Sequence, residues 1–315
     1  MTTVLFSTNA TQAAEWEPYL QRWSRELSVP FELVIDAQLI RARDVDVLVL
    51  NPVEGAKDLA PFAHVGLIQS IWAGVEAYLT NPTLPTNPPL CRMVSSGLTE
   101  GMTDYIVGHV MRHHLDIDHH IRQSAAGIWQ APVPPLSRDR KVGILGLGAL
   151  GSDAAQMLAR LRFDVAGWSR SAKTLSGVTC LHGESGLDEI IARSEIIVTI
   201  LPSTAETRHI LDARRLGLAP RGAVVINPGR GPLIDDDALL TALASGQIGH
   251  ATLDVFDTEP LPADHPYWRN PNVTITPHIA AETRPSDAAR VVVEQIGRLQ
   301  RGEPLWHIVD HGLGY

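Results

Sequence analysis

The sequence predicts an α/β protein of two parallel-sheet units, a doubly wound one inserted between the two halves of a smaller one. Three observations predict it. Short β-rich runs alternate with helical stretches along most of the chain, the rhythm of βαβ units. A G-x-G-x-x-G run, Gly146 to Gly151, stands between one such strand and one such helix. Two breakers, the Pro-rich stretch 81–90 and Ala131-Pro-Val-Pro-Pro-Leu136, separate a first βα series from a stronger second one, after which a final helix follows. At 315 residues the chain has length for two domains with sizeable cores. The expected division is residues 1–98 plus 282–315 for the smaller unit and 99–281 for the larger.

Each element has its own reason. Val4-Leu5-Phe6, residues 31–35 and residues 47–50 are short runs rich in β-branched or aromatic residues and read as buried strands. Between the first two, Trp16, Tyr19, Leu20 and Trp23 recur at helical spacing. Pro18 has no N–H to donate, so the regular helix is expected to begin near it. Residues 102–121 lack Pro and Gly apart from Gly108 and read as one long helix. Six strands follow, at 141–145, 164–168, 195–201, 223–226, 251–255 and 273–275. Helices fit between most of them, for example 236–245, where Asp235-Asp236-Asp237 favours a helix N-terminus. The last helix, 285–301, has Pro285 in its first turn and stops at Gly302.

Composition narrows the function classes. Hydrophobic residues are 44% and charged residues 19%, the balance of a soluble globular chain. Twenty-six basic against 35 acidic residues give −9, which speaks against a general nucleic-acid or anionic-membrane surface. The N-terminus has no basic region ahead of an apolar run, and no stretch of about 18 apolar residues occurs, so a cytoplasmic protein is expected. Cys91 and Cys180 stand far apart without ligand spacing and are expected to be buried small hydrophobes. His113-His114 and His119-His120, with Asp116 and Asp118, raise the question of a metal. Neighbouring residues on a helix face different ways, so no metal is expected and the helix is assigned to a domain or subunit contact.

The glycine run is weak by itself and strong in its setting of strand, turn and helix. Gly146 allows the tight turn, Gly148 the close approach of a pyrophosphate, and Gly151 the packing of helix on strand. Ala149 and Leu150 open a helix whose free N–H groups and positive dipole end suit phosphates. A dinucleotide is therefore expected, with a methyltransferase-type fold as the competing use. About 20 residues on, where NAD users carry an acid for the ribose 2′-hydroxyl, the strand ends Trp168-Ser169-Arg170-Ser171, with Lys173 close behind. The missing carboxylate, and an arginine suited to a 2′-phosphate, point to NADP (NADPH) over NAD.

Three charged residues follow strands in the second series. Arg230 comes after the 223–226 strand in Asn227-Pro-Gly-Arg-Gly, Glu259 lies 29 residues later, and His278 another 19 on in Thr276-Pro-His-Ile-Ala-Ala. C-terminal strand ends of a doubly wound sheet gather at one rim, where ligands bind. Arginine, glutamate and histidine are thereby expected in one crevice with the glycine loop.

These residues carry a resemblance to a known family. The runs Gly146-Leu-Gly-Ala-Leu-Gly151, Trp168-Ser-Arg-Ser171, Leu201-Pro-Ser-Thr-Ala-Glu-Thr207, Leu253-Asp-Val-Phe256, Glu259-Pro-Leu-Pro262 and Thr276-Pro-His-Ile-Ala-Ala-Glu-Thr-Arg-Pro285 resemble the D-2-hydroxyacid dehydrogenases, and within them the bacterial glyoxylate/hydroxypyruvate reductases. The likeness covers essentially the whole chain. It implies a Rossmann cofactor domain inserted in a smaller flavodoxin-like substrate domain, and reduction of small 2-keto acids such as glyoxylate and hydroxypyruvate. It also implies that Arg230, Glu259 and His278 are catalytic. In that chemistry a fixed cation bridges the keto acid's carboxylate and carbonyl, and an imidazolium oriented by a carboxylate gives the proton. By the same likeness Leu201, Pro202, Thr207 and the variable Pro228 line the cofactor cleft. Asp254 and Ala280 lie around the nicotinamide carboxamide, and Ala73, Gly74 and Val75, in Trp72-Ala-Gly-Val-Glu76, offer N–H groups to the substrate carboxylate. Side-chain selectivity is expected from loops such as Asn51-Pro-Val53 and from Trp72. The family forms homodimers, and Gly127-Ile-Trp129 resembles a segment that places a tryptophan in the neighbour's substrate pocket; packing of Trp129 beneath the interdomain helix is the alternative. Competing functions are a dinucleotide-sensing corepressor on the same fold and a phosphite- or formate-type dehydrogenase. Formate-type members carry glutamine where Glu259 stands.

Overall fold

A computed structural model describes residues 1–312. Its elements begin β1 (Thr2–Ser7), α1 (Ala10–Glu26), β2 (Phe31–Val34), β3 (Val47–Leu50), β4 (Leu67–Ser70), α2 (Glu76–Leu79) and β5 (Leu90–Cys91). Two helices follow, α3 (Ser96–His114) and α4 (Ile117–Ala125). The second series runs β6 (Lys141–Leu145), α5 (Ala149–Arg160), β7 (Asp164–Ser169), β8 (Thr179–His182), α6 (Gly183–Arg193), β9 (Ile196–Thr199), α7 (Ala213–Leu218) and β10 (Ala223–Asn227). It closes with α8 (Asp236–Ala244), β11 (Ile248–Leu253), β12 (Val273–Ile275) and α9 (Pro285–Gln300). The chain divides into two compact units, Met1–Leu98 with the segment from Thr283 onward, and Thr99–Glu282.

The first unit is a five-stranded sheet in the flavodoxin-like order β2-β1-β3-β4-β5, every pair parallel. Central β3 is buried along its whole length, as a strand covered on both faces must be. Helix α1 begins eight residues before Pro18, contrary to the sequence expectation. Asn9 starts it by accepting from the Gln12 N–H at 2.8 Å, and burial of Ala13, Trp16 and Leu20 outweighs the hydrogen bond lost at Pro18. Strands β4 and β5 carry weaker sequence signals, β4 because polar Gln69 and Ser70 sit fully buried within it.

The second unit is a seven-stranded, all-parallel sheet in the order β12-β11-β10-β9-β6-β7-β8. This is the doubly wound Rossmann arrangement, with its switch point between β6 and β9. Leu145, Val225 and Ala251 face Ile190 of α6, Leu216 of α7 and Leu239 of α8. Val142, Ile144 and Val198 face Ile106 and Val110 of α3 and Ala154 and Leu158 of α5. The helix expected over 102–121 is broken. Asp116, at φ 50 and ψ 42, takes the left-handed conformation that Asp tolerates better than most residues and separates α3 from α4. Cys91 is fully buried as expected, whereas Cys180 is only half-buried because β8 is an edge strand. Among the described residues no helix is long and apolar enough to cross a membrane.

Candidate active site

The glycine loop follows β6 directly. Gly146 has φ +115, which strains any residue with a side chain, and a Cβ there would lie 2.5 Å from the Ile200 carbonyl oxygen. At Gly151 a Cβ would lie 1.9 Å from the carbonyl oxygen of Gly146, so α5 closes onto the loop only because that atom is missing. Gly148 differs, since a Cβ there would meet nothing within 4 Å. It caps α5 without any side-chain bond, and the first in-helix bond is Ser152 N–H to Gly148 O at 3.0 Å. The N–H groups of Ala149, Leu150 and Gly151 therefore sit in a first turn that has no helical acceptor for them. Open space over bare N–H groups and a positive helix end fits a pyrophosphate.

At the end of β7, Ser169 donates its hydroxyl to the Ser171 carbonyl at 2.8 Å, shaping the turn that presents Arg170. Arg170 is half-exposed and pairs with Glu206 at 3.3 Å. Lys173 donates from Nζ to the Leu147 carbonyl, inside the glycine loop. Neither Lys173 nor Glu206 carries a local sequence signal for this role; the fold alone brings them here. Beyond β9, Thr207 donates to the Pro202 carbonyl at 2.6 Å and accepts from the Thr204 N–H at 2.8 Å. Its hydroxyl thus fastens the turn, while Leu201 packs on the core.

The charged trio comes together at the C-terminal rim of this sheet. Buried Asn227 ends β10 and accepts from Thr199 Oγ1 at 2.8 Å and from the Gly229 N–H at 3.1 Å. Its own Nδ2 donates to the Arg230 carbonyl at 2.9 Å, so Asn227 and buried Pro228 set the turn that carries the arginine. After β11, Glu259 accepts the Phe256 N–H at 2.8 Å with one oxygen and meets His278 Nδ1 at 2.7 Å with the other. That bond is the main reason the His278 proton affinity is raised above the ordinary imidazole value; burial opposes it, and the Glu259 charge adds to it. Burial alone would push the Glu259 carboxyl up, but the bonds from His278 and Phe256 bring it below the usual range. The Arg230 cation acts on both, lowering each. With Nδ1 engaged by a carboxylate, Nε2 is the nitrogen of His278 left for a ligand.

Asp254 holds this rim from beneath. It is fully buried, and its carboxylate accepts from Thr276 Oγ1 at 2.6 Å, from the Ile279 N–H at 2.9 Å and from the Ala280 N–H at 2.8 Å. The residues expected around a nicotinamide carboxamide are thus bonded to each other. Ala73, Gly74 and Val75 lie in the first unit, where Val75 is buried and heads α2. Just ahead of them, the Trp72 carbonyl accepts from Ser70 Oγ at 2.8 Å and from the Met93 N–H at 3.0 Å. Asn51 turns inward, accepting from the Val53 and Glu54 N–H groups at 2.9 and 3.1 Å.

Of the two histidine pairs, His113 and His114 face different ways, whereas the His119 and His120 rings meet edge-on with centroids 5.6 Å apart. His113 meets Thr252 and His250, whereas His114 packs edge-on against Phe163. Trp129 does not pack beneath a helix, since it is 97% exposed, and Val133 beside it is 93% exposed.

A parallel sheet with a phosphate-fitting glycine loop, and an Arg–Glu–His trio at the same rim, define a nicotinamide-dinucleotide oxidoreductase. Residues 107–280 match the family model of the D-isomer specific 2-hydroxyacid dehydrogenase NAD-binding domain. The chain belongs to the D-isomer specific 2-hydroxyacid dehydrogenases. Solved structures resemble it over its full length. A D-isomer specific 2-hydroxyacid dehydrogenase from Xanthobacter autotrophicus Py2, in complex with NADPH and MES, is 37% identical with a TM-score of 0.92, covering 100% of this chain and 99% of that one. An NADPH-dependent glyoxylate/hydroxypyruvate reductase from Sinorhizobium meliloti, in complex with NADP and sulfate, is 32% identical with a TM-score of 0.89, covering 100% of both chains. A probable 2-hydroxyacid dehydrogenase from Rhizobium etli CFN 42, with NADP, HEPES and L(+)-tartaric acid, is 29% identical with a TM-score of 0.85, covering 100% of this chain and 99% of that one.

Proposed function

We propose that this dehydrogenase reduces small 2-keto acids, glyoxylate and hydroxypyruvate among them, and prefers NADPH to NADH. The observation that carries the reading is the 2.7 Å bond between His278 and Glu259 at the rim that also holds Arg230. A reduced nicotinamide, when bound, supplies the hydride. The chain's residues do the rest. Arg230 holds the substrate carboxylate and the carbonyl oxygen, a cation standing where negative charge develops. Charged His278 passes the proton from Nε2 to that oxygen, ends neutral, and regains a proton from solvent. Glu259 keeps the ring oriented and favours its charged form. Ala73, Gly74 and Val75 would supply N–H groups to the carboxylate.

For the cofactor, Gly146, Gly148, Ala149, Leu150 and Gly151 would take the pyrophosphate, and Ser169, Arg170 and Ser171 the 2′-phosphate. Leu201, Pro202, Thr207 and Pro228 would line the cleft, with Asp254 and Ala280 near the carboxamide. NADPH or NADP in the three similar structures supports the preference. An exposed apolar run, Ile128, Trp129, Val133 and Leu136, supports a homodimer as the working form.

A rate panel of 2-keto acids, each with NADPH and with NADH, tests the reading. Glyoxylate and hydroxypyruvate should turn over, faster with NADPH, and Arg170→Ala should remove most of the NADPH advantage. Equal use of both cofactors by the wild type would refute the preference, and no turnover of any 2-keto acid would refute the activity.

A further inference from the structure

We propose that Tyr105 and Thr276 are positioning residues for His278, acting along a hydrogen-bonded chain that ends on the Asp254 carboxylate. The proposal rests on the reading of His278 as the proton donor.

His278 needs holding. Its φ is +56, a left-handed conformation that residues with side chains avoid and that persists only where the surroundings enforce it. Asp254 makes most of the bonds that enforce it, beside the Thr276 carbonyl, which also accepts the His278 N–H at 3.1 Å. The His278 N–H donates to the Asp254 carbonyl at 2.9 Å, and the next two N–H groups, of Ile279 and Ala280, donate to the two oxygens of the Asp254 carboxylate. The backbone around the imidazole is therefore only as well placed as that carboxylate. Asp254 is wholly buried, so no solvent steadies it.

Thr276 and Tyr105 complete its surroundings. The Thr276 hydroxyl gives its single proton to Asp254 at 2.6 Å. The Tyr105 hydroxyl, 2.7 Å from Thr276 Oγ1, must then be the donor in that second bond. Burial raises the Tyr105 phenol well above its ordinary value, only partly offset by the Thr276 bond, so it stays a donor at every working pH. The order is Tyr105 O–H to Thr276 O–H to Asp254 carboxylate, and each donor polarises the next. Tyr105 itself is fixed on α3, its ring 4.4 Å from that of His109. A rigid helix thereby anchors the loop that presents the imidazole to Glu259. The charged groups acting on His278 are Glu259 and Asp254, which raise its proton affinity, and Arg230, which lowers it. Those acting on Tyr105 are Asp254 and Arg112.

Three substitutions separate positioning from bulk stability. Tyr105→Phe keeps the ring and loses the hydroxyl; Thr276→Val keeps the shape and loses the hydroxyl; Thr276→Ser keeps the hydroxyl. For each, kcat and KM with glyoxylate or hydroxypyruvate, the pH profile of kcat/KM, the NADPH dissociation constant and Tm are measured. Tyr105→Phe and Thr276→Val should lower kcat about three- to tenfold, the scale of one lost hydrogen bond expressed in the transition state. Their alkaline fall in kcat/KM should move to lower pH, because a loosened imidazole leaves Glu259. The keto-acid KM and the NADPH dissociation constant should hold, and Thr276→Ser should recover most of kcat. The proposal is overturned if kcat and pH profile stay at wild type while only Tm falls. It is equally overturned if NADPH binding weakens in step with kcat. A wild type inactive on every 2-keto acid would instead remove the reading of His278 beneath it.

Discussion

Replacing Glu259 by glutamine removes one charge from the site and little else. The side chain keeps its length, and its carbonyl oxygen can still accept the Phe256 N–H that Glu259 accepts at 2.8 Å. What disappears is the carboxylate 2.7 Å from His278 Nδ1, the leading cause of the raised proton affinity of that ring. The size of the effect follows from exposure. The two side chains are 54% and 35% exposed, so solvent screens the pair and it is worth about 1 kcal/mol at most. At about 1.4 kcal/mol per pH unit, the alkaline fall of the profile should move to lower pH by no more than about 0.7 of a unit. The sign is fixed by the chemistry: reduction uses the charged ring, so kcat/KM falls as pH rises through that pKa, and the variant should fall earlier. The assay is NADPH oxidation with glyoxylate across a pH series, wild type beside Glu259→Gln. A profile that stays in place, or moves to higher pH, refutes the reasoning. If only Tm drops, Glu259 serves the Phe256 turn and not the imidazole.

The glycine loop offers a paired prediction. Gly151→Ala should cost about 3 kcal/mol in stability, since its Cβ would meet the Gly146 carbonyl oxygen at 1.9 Å. Gly148→Ala, with nothing within 4 Å and φ at −72, should change Tm little yet raise the KM for NADPH strongly; normal NADPH affinity in that variant would empty the cradle of its meaning. Acid should destabilise the fold through two neutral histidines: burial above all pushes His113 down to about 3 and His250 to about 4, from an ordinary 6.5. Below about pH 6.5 the unfolded chain binds protons that the folded one refuses, so stability falls as pH falls towards about 4. A Tm independent of pH across that window, or one just as steep in His250→Gln, would count against it.

Much of this was legible in the sequence because the relevant signals are local. The glycine run fixes a turn whose neighbours are a strand and a helix, and the trio follows strands whose ends share a rim by topology alone. Leu253-Asp-Val and Thr276-Pro-His read as strand ends, and the fold joins them through Asp254. Other features depend on contacts far along the chain. Pro18 argues locally against a helix that the burial of Trp16 and Leu20 then stabilises. Asp116 gives no periodic sign of the break it makes between α3 and α4. Lys173 reaches the Leu147 carbonyl, and Tyr105 reaches Thr276 across 171 positions, distances that no spacing rule spans.

The most direct measurement is steady-state turnover of glyoxylate and hydroxypyruvate with NADPH by wild type and His278→Ala, with NADPH affinity measured alongside. Loss of the proton donor should lower kcat by about 10²–10⁴-fold. NADPH binding should stay close to wild type, because the glycine loop and Arg170 lie elsewhere on the sheet rim. Near wild-type turnover in His278→Ala would contradict the assignment of His278 as the group that protonates the keto oxygen.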